Sequence, residues 1–295
     1  MKLKSILGGA TLALAFLASA QADVTVNITG ATAFRAATLA SIKARYLAAG
    51  TPLFKFAHDQ ATAGGTTYTG ATRAIFIGNF PGVTGTTTIR CCFTGSVEGI
   101  RALVPGAADP VPPTYYQPAL LTGTTATAVG AELANQGTTG AAALGGISDI
   151  AFSDVTKSST PYSAASLQPS TPSAGVILFT MIGNEGFPTS VTSITAQQFR
   201  ALLAGGFQPL SLLTGNETDT DYVFATGRND GSGTRTTYLA ETGYGITQVV
   251  KQYVANVSSN TTLTTIQLVP AGGVNSPVLP GQTAKNASTV WGTGC

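Results

Sequence analysis

Apolar and polar residues alternate over residues 24–29, where Thr25 and Asn27 separate Val24, Val26 and Ile28, the period of a half-buried strand. Gly30 closes that run. Over residues 31–49 the period changes, and Phe34, Leu39, Ile42, Tyr46 and Leu47 fall near helical spacing. Residues 53–57, 74–77 and 86–93 read as strands, and 96–103 as a short helix. Further along, 147–152 and 176–182 read as strands. Residues 195–203 read as a helix with Thr195 as its N-cap. A strand at 222–226, helices at 232–242 and 246–257, and a last strand at 264–269 complete the pattern. Alternating strands and helices predict an α/β protein with mostly parallel sheets. Residues 105–146, rich in Pro, Ala, Thr and Gly, read as a long surface excursion.

The first 22 residues follow a different logic. Lys2 and Lys4 precede 13 uncharged, largely apolar residues (5–17), followed by small-x-small steps at Ala18-Ser19-Ala20 and Ala20-Gln21-Ala22. This predicts a secretory signal peptide over 1–22 and a periplasmic or secreted protein. The apolar core is too short to span a bilayer, which takes about 20 residues. No cysteine follows it to accept a lipid.

Charge sharpens the picture by subtraction. The 295-residue chain has 15 Lys+Arg against 13 Asp+Glu, and the excess of two is Lys2 and Lys4 themselves. The mature chain is formally neutral, so no basic field points to nucleic acid, and any ligand is recognised locally. One His and three Cys exclude a His/Cys metal centre and a disulfide scaffold. No metal and no cofactor are expected.

One local arrangement recurs three times: a strand ends, a Gly/Ser/Thr cluster follows, and a helix begins. The cases are Gly30-Ala31-Thr32-Ala33, Thr94-Gly95-Ser96 and Asp230-Gly231-Ser232-Gly233-Thr234. A helix start leaves unpaired N–H groups and a partial positive charge, glycines admit a ligand to the backbone, and hydroxyls add donors. Arg228, just before the third corner, offers a planar fork suited to oxyanions. Each corner alone is also an ordinary helix cap; together they point to an anion.

Arg228-Asn229-Asp230-Gly231-Ser232-Gly233-Thr234-Arg235 resembles the R-x-D-G-S-G-T segment of the phosphate-binding proteins of ABC transporters. Gly30-Ala31-Thr32, Gly95-Ser96-Val97-Glu98-Gly99-Ile100, residues 146–154 and the helix from Thr195 to Gly205 resemble further segments of that family in the same order, over about residues 24–245. Val97 stands where the family often has another glycine.

The resemblance implies a two-lobed class II periplasmic-binding fold that closes on phosphate, or on a similar oxyanion, as a monomer. The first lobe would be residues 23–172, with the 105–146 insert, and the second 173–295. It implies a hydroxyl from Thr32, a backbone N–H from Ala33 and a hydroxyl from Ser96. Arg228, Ser232, Gly233 and Thr234 would bind from the other lobe, and Asp230 would orient Arg228. Asp154 would accept a hydrogen bond from a protonated ligand oxygen; an unpaired carboxylate would penalise an anion with no proton. Delivery to the membrane subunits of an ABC transporter is the implied role, with no catalysis. Family members run on past the last strand back to the first lobe, so the expectation here is either a short return segment or a fragment.

Two other readings remain open. The Thr- and Gly-rich composition suits a secreted or cell-surface interaction protein that keeps the fold without transport. A hydrolase of phosphate esters using Ser232 or Thr234 lacks a base, since His58 has no nucleophile motif near it. His58 reads as structural. Cys91 and Cys92 read as ordinary buried or edge thiols on opposite faces of a strand, with Cys295 as an alternative partner for one of them.

Overall fold

A computed structural model describes residues 23–50, 52–104, 113–137, 144–145, 147–167, 178–184, 186–229, 231–259, 262–268, 285–286 and 290–294. The predicted signal peptide, Asp230 and Cys295 lie outside these residues. In chain order the first elements are β1 (Val24–Gly30), α1 (Arg35–Leu47, entered through a 3-10 turn at Thr32–Phe34), β2 (Phe54–His58), β3 (Arg73–Gly78), β4 (Thr87–Cys92) and α2 (Ser96–Ala102). They are followed by β5 (Thr114–Tyr115), β6 (Ala131–Leu133), β7 (Leu144–Gly145) and β8 (Ile150–Phe152). After these come β9 (Ile182–Gly183), α3 (Ala196–Gly205), β10 (Phe207–Pro209), α4 (Ser211–Thr214), β11 (Tyr222–Ala225) and α5 (Gly233–Glu241). Strands β12 (Tyr253–Ser259), β13 (Thr262–Leu268), β14 (Lys285–Asn286) and β15 (Val290–Gly294) complete the order.

The protein is α/β, with a mixed six-stranded sheet in the order β6-β2-β3-β4-β1-β8. The expectation of mostly parallel sheets needs correction at β3, which pairs antiparallel with both β2 and β4. The cause lies in the connections. Helix α1 carries the chain from β1 across to β2, the crossover that a parallel arrangement requires, whereas β2, β3 and β4 follow one another through loops and turn back as neighbours. A four-stranded sheet, β10-β11-β15-β9, is also mixed, and β12-β13-β14 form a small antiparallel sheet.

The core beneath the six-stranded sheet is aromatic. Leu39, Ile42 and Tyr46, one face of α1, pack on Phe54, Phe56 and Phe76. The Phe56 and Phe76 rings stack with centroids 5.2 Å apart and planes 7° apart. The Tyr46 hydroxyl donates to the Thr87 carbonyl at 2.8 Å, so the ring's polar end is satisfied inside the core. A second cluster, with Phe199, Leu202 and Leu203 of α3, Val223 of β11 and Tyr238 and Leu239 of α5, packs beside the four-stranded sheet. Thr195 caps α3 with a reciprocal capping box to Gln198.

Three local expectations are overturned. The excursion 105–146 is a surface feature only in part where it is described: Val129 is exposed, but Tyr115, Tyr116 and Leu121 are fully buried, and β6 adds a parallel strand to the edge of β2. Their apolar area outweighs the Pro- and Gly-rich setting. The helix expected over 246–257 does not form; residues 253–259 are β12, which suits the β-branched Val254 and Val257 once β13 is beside it. Within the strand expected at 176–182, the described residues show strand only at Ile182–Gly183.

His58 is fully buried on β2. Its Nδ1 accepts the Gln60 amide at 3.2 Å, which leaves the Nε2 hydrogen to Glu132 Oε1 at 2.8 Å. It ties β6 to the sheet and is structural. Cys91 and Cys92 are both buried and free. Burial raises both thiols above their ordinary value, so neither is a reactive thiolate. Among the described residues, no helix is long and apolar enough to cross a membrane.

Candidate functional site

Strands β4, β1 and β8 lie side by side and parallel, so their C-terminal ends open on one edge of the sheet. In open α/β sheets, ligands bind outside the carboxyl ends of the strands. Three segments emerge there: the 3-10 turn after β1, the Thr94–Ser96 corner after β4, and Ser153-Asp154 after β8. They are bound to one another by backbone. Ala31 N–H donates to the Phe152 carbonyl at 2.7 Å, and Gly95 N–H to the Gly30 carbonyl at 3.0 Å.

Gly30 has a φ of 112°, and a Cβ on it would overlap the Phe152 carbonyl. That position therefore admits only glycine. Phe34 N–H makes the first bond of the turn, to the Ala31 carbonyl, so the Thr32 and Ala33 amides precede it and have no partner within the turn.

From the other sheet, β11 ends at Ala225, and the chain runs through Arg228 into α5. Ser232 is the N-cap, its hydroxyl accepting the Arg235 amide at 3.4 Å. The amides of Gly233 and Thr234 open the helix, where the helix dipole is positive. Arg228 is positioned by residues far along the chain: its carbonyl accepts from Arg235 Nη1 at 3.1 Å and from Gln252 Nε2 at 3.3 Å. Arg235 Nη1 also donates to Gln252 Oε1 at 2.9 Å. This brace leaves the Arg228 guanidinium without a hydrogen bond or ion pair to any described residue.

These segments meet in one cavity of about 340 Å³. Thr32, Ala33, Ser96, Asp154, Arg228, Ser232, Gly233 and Thr234 all line it, from positions some 200 residues apart; Asp230 alone of the expected site residues lies outside the described ones. Gly95 of the second corner also lines it, as do Arg35, Leu178 and Phe179, which were not foreseen. Arg35 directly follows the first corner, and its place in the first turn of α1 was the available signal. Leu178 and Phe179 carried no local signal.

Two contacts refine the expected roles. The Ser96 hydroxyl donates to Asp154 Oδ1, so the carboxylate already has a protein partner. The Gly231 carbonyl accepts from both Val97 N–H (3.0 Å) and Glu98 N–H (3.2 Å), so the start of α2 is engaged by the Arg228–Ser232 loop. A Cβ on Gly95 or Gly233 would intrude on this junction, the first into the Gly231 carbonyl and the second into Asp154 and Ser96. The glycines permit the close approach. Among the described residues that line the cavity, the charged side chains are Arg35, Arg228 and Asp154, and no nucleophile there has a described basic partner other than Asp154.

No family model, curated protein or solved structure matches the chain. The functional reading therefore stands on these residues and their placement.

Proposed function

We propose that this is an exported oxyanion-binding protein that holds phosphate, or a similar tetrahedral anion, between two α/β lobes of the class II periplasmic-binding type. It would present the anion to the membrane subunits of an ABC transporter and catalyse nothing itself. The observation that carries this reading is the convergence of Thr32, Ala33 and Ser96 with Arg228 and the Ser232–Thr234 helix start on one cavity. Hydroxyls, unpaired amides, a helix N-terminus and a guanidinium without a described partner are the groups an oxyanion needs. A neutral mature chain makes such local recognition the only electrostatic means available.

Calorimetric titration of the folded protein with phosphate tests the proposal, with Arg228→Ala as control. A saturable heat that falls at least tenfold in affinity in the variant is expected. Absence of heat at millimolar phosphate overturns it.

One observation favours a second reading, a surface protein that keeps the fold without transport. Ser96 with Asp154, and the start of α2 with Gly231, satisfy one another internally. The same titration separates the two.

A further inference from the structure

The cavity's composition bears on which anion it takes. At roughly 30 Å³ for each water in the liquid, a volume of about 340 Å³ holds about eleven water-sized groups. A tetrahedral oxyanion has five heavy atoms and fills less than half of that. The volume falls at the lower end of pockets that enclose organic ligands, roughly 300–1,000 Å³.

The walls differ in kind. Arg35 at the start of α1 and Arg228 before α5 bring guanidinium groups from separate parts of the chain. Leu178 and Phe179 line the same cavity and offer it no side-chain polar atom; Leu178 is 91% exposed and Phe179 36%. An isolated exposed leucine is commonplace. Two consecutive apolar side chains on the wall of a cationic cavity provide a surface that inorganic phosphate does not use.

The carboxylate argues in the same direction. An unpaired Asp154 would demand a proton on the ligand, which inorganic phosphate supplies at neutral pH. Here Asp154 Oδ1 accepts from the Ser96 hydroxyl, so one of its two oxygens already has a donor within the protein. A phosphomonoester, whose second ionisation lies near pH 6, is mostly a dianion at neutral pH. Two arginines line the cavity with Asp154, each offering a planar fork for phosphoryl oxygens.

Resting on the oxyanion-binding reading above, we infer that the site's ligand is an organic phosphate: a phosphoryl group between Arg35, Arg228 and the start of α5, with an apolar substituent against Leu178 and Phe179. Specificity then resides in two places. Arg35 and Arg228 hold the phosphoryl oxygens, and the Leu178–Phe179 pair selects the substituent.

Parallel calorimetric titrations of the folded full chain with inorganic phosphate and with phenyl phosphate test this. Phenyl phosphate is expected to bind about tenfold tighter, the scale on which an apolar pocket discriminates. A Leu178→Ser/Phe179→Ser variant is expected to narrow that ratio at least threefold, and Arg35→Gln to weaken both ligands while leaving the ratio within about twofold. Thermal melts confirm that each variant is folded. Phosphate binding as tightly as phenyl phosphate, or a ratio unmoved by the double variant, overturns this inference and leaves the oxyanion reading standing. Failure of both ligands to bind folded wild-type protein overturns both.

Discussion

At the ends of β4, β1 and β8 the cavity wall is sheet geometry made visible: three neighbouring parallel strands stop together, and backbone hydrogen bonds join the turns that follow. Around α5 the wall is a loop held by contacts from afar, Arg235 and Gln252 on the Arg228 carbonyl and the amides of α2 on Gly231. The first region supplies amides and hydroxyls from a rigid frame. The second supplies a guanidinium and a helix start whose placement depends on the fold being complete through Gln252. The cores differ likewise. Beneath the six-stranded sheet lies a stack of aromatic rings, whereas the cluster beside the four-stranded sheet is mainly aliphatic, with Phe199 and Tyr238 edge to face.

The largest expected effect comes from striking the frame itself. Gly30→Ala places a Cβ against the Phe152 backbone at a φ that side chains avoid, and should cost about 3 kcal/mol of stability, read from the denaturation midpoint. Gly233→Ala, in the other region, has side-chain atoms of Asp154 and Ser96 as its nearest neighbours, with no backbone atom as near. It should leave the midpoint within about 1 kcal/mol while lowering phosphate affinity. Equal loss of stability in both variants would erase the distinction between frame and loop.

A smaller effect distinguishes the cores by pH. Burial raises the Cys91 and Cys92 thiols and the Tyr46 and Tyr115 hydroxyls above ordinary values of 9.0 and 10.0, and Tyr116 is pushed up to about 12. Groups with raised folded values contribute stability that is complete below the unfolded pKa and declines as pH climbs past it. From pH 8 to pH 10 the protein should lose about 2 kcal/mol through the two thiols, at about 1.4 kcal/mol per pH unit for each ionisable group. A Cys91→Ala/Cys92→Ala variant should show a shallower decline in its urea midpoint. An unchanged slope would mean that these thiols are not withheld from ionisation by the core.

The smallest expected change belongs to the second region. Thr195→Ala removes the capping box of α3 and should lower stability by about 1 kcal/mol without altering ligand affinity, since α3 does not line the cavity. A change in affinity from this substitution would show that the second core and the site are coupled.

Legibility in the sequence followed the range of the interactions. Strand β1, helix α1 and strands β2 to β4 appear in the apolar period because each buries a face against an extensive core. Thr195 announces α3 because a cap is a contact among residues three positions apart. The missed elements are those whose partners are distant. Ala131-Glu132-Leu133 favours helix by residue type and is a strand because the edge of β2 lies open to it. Tyr115 and Tyr116 sit in a Pro-rich stretch, and their burial follows from where β5 comes to lie. Residues 246–257 have a helical apolar period, but β12 pairs with β13 instead.

For the site, the chain by itself determined which segments can face an anion: strand-end glycines, hydroxyls at helix starts and Arg228 before its corner, all set by backbone chemistry within a few residues. Tertiary structure decided which of them meet. It put Arg35 and the Leu178–Phe179 pair on the same cavity, gave Asp154 the Ser96 hydroxyl, engaged the start of α2 with Gly231, and braced Arg228 through Gln252. These choices depend on strand order and on contacts across some 25 to 200 residues, and no local period encodes distances of that kind.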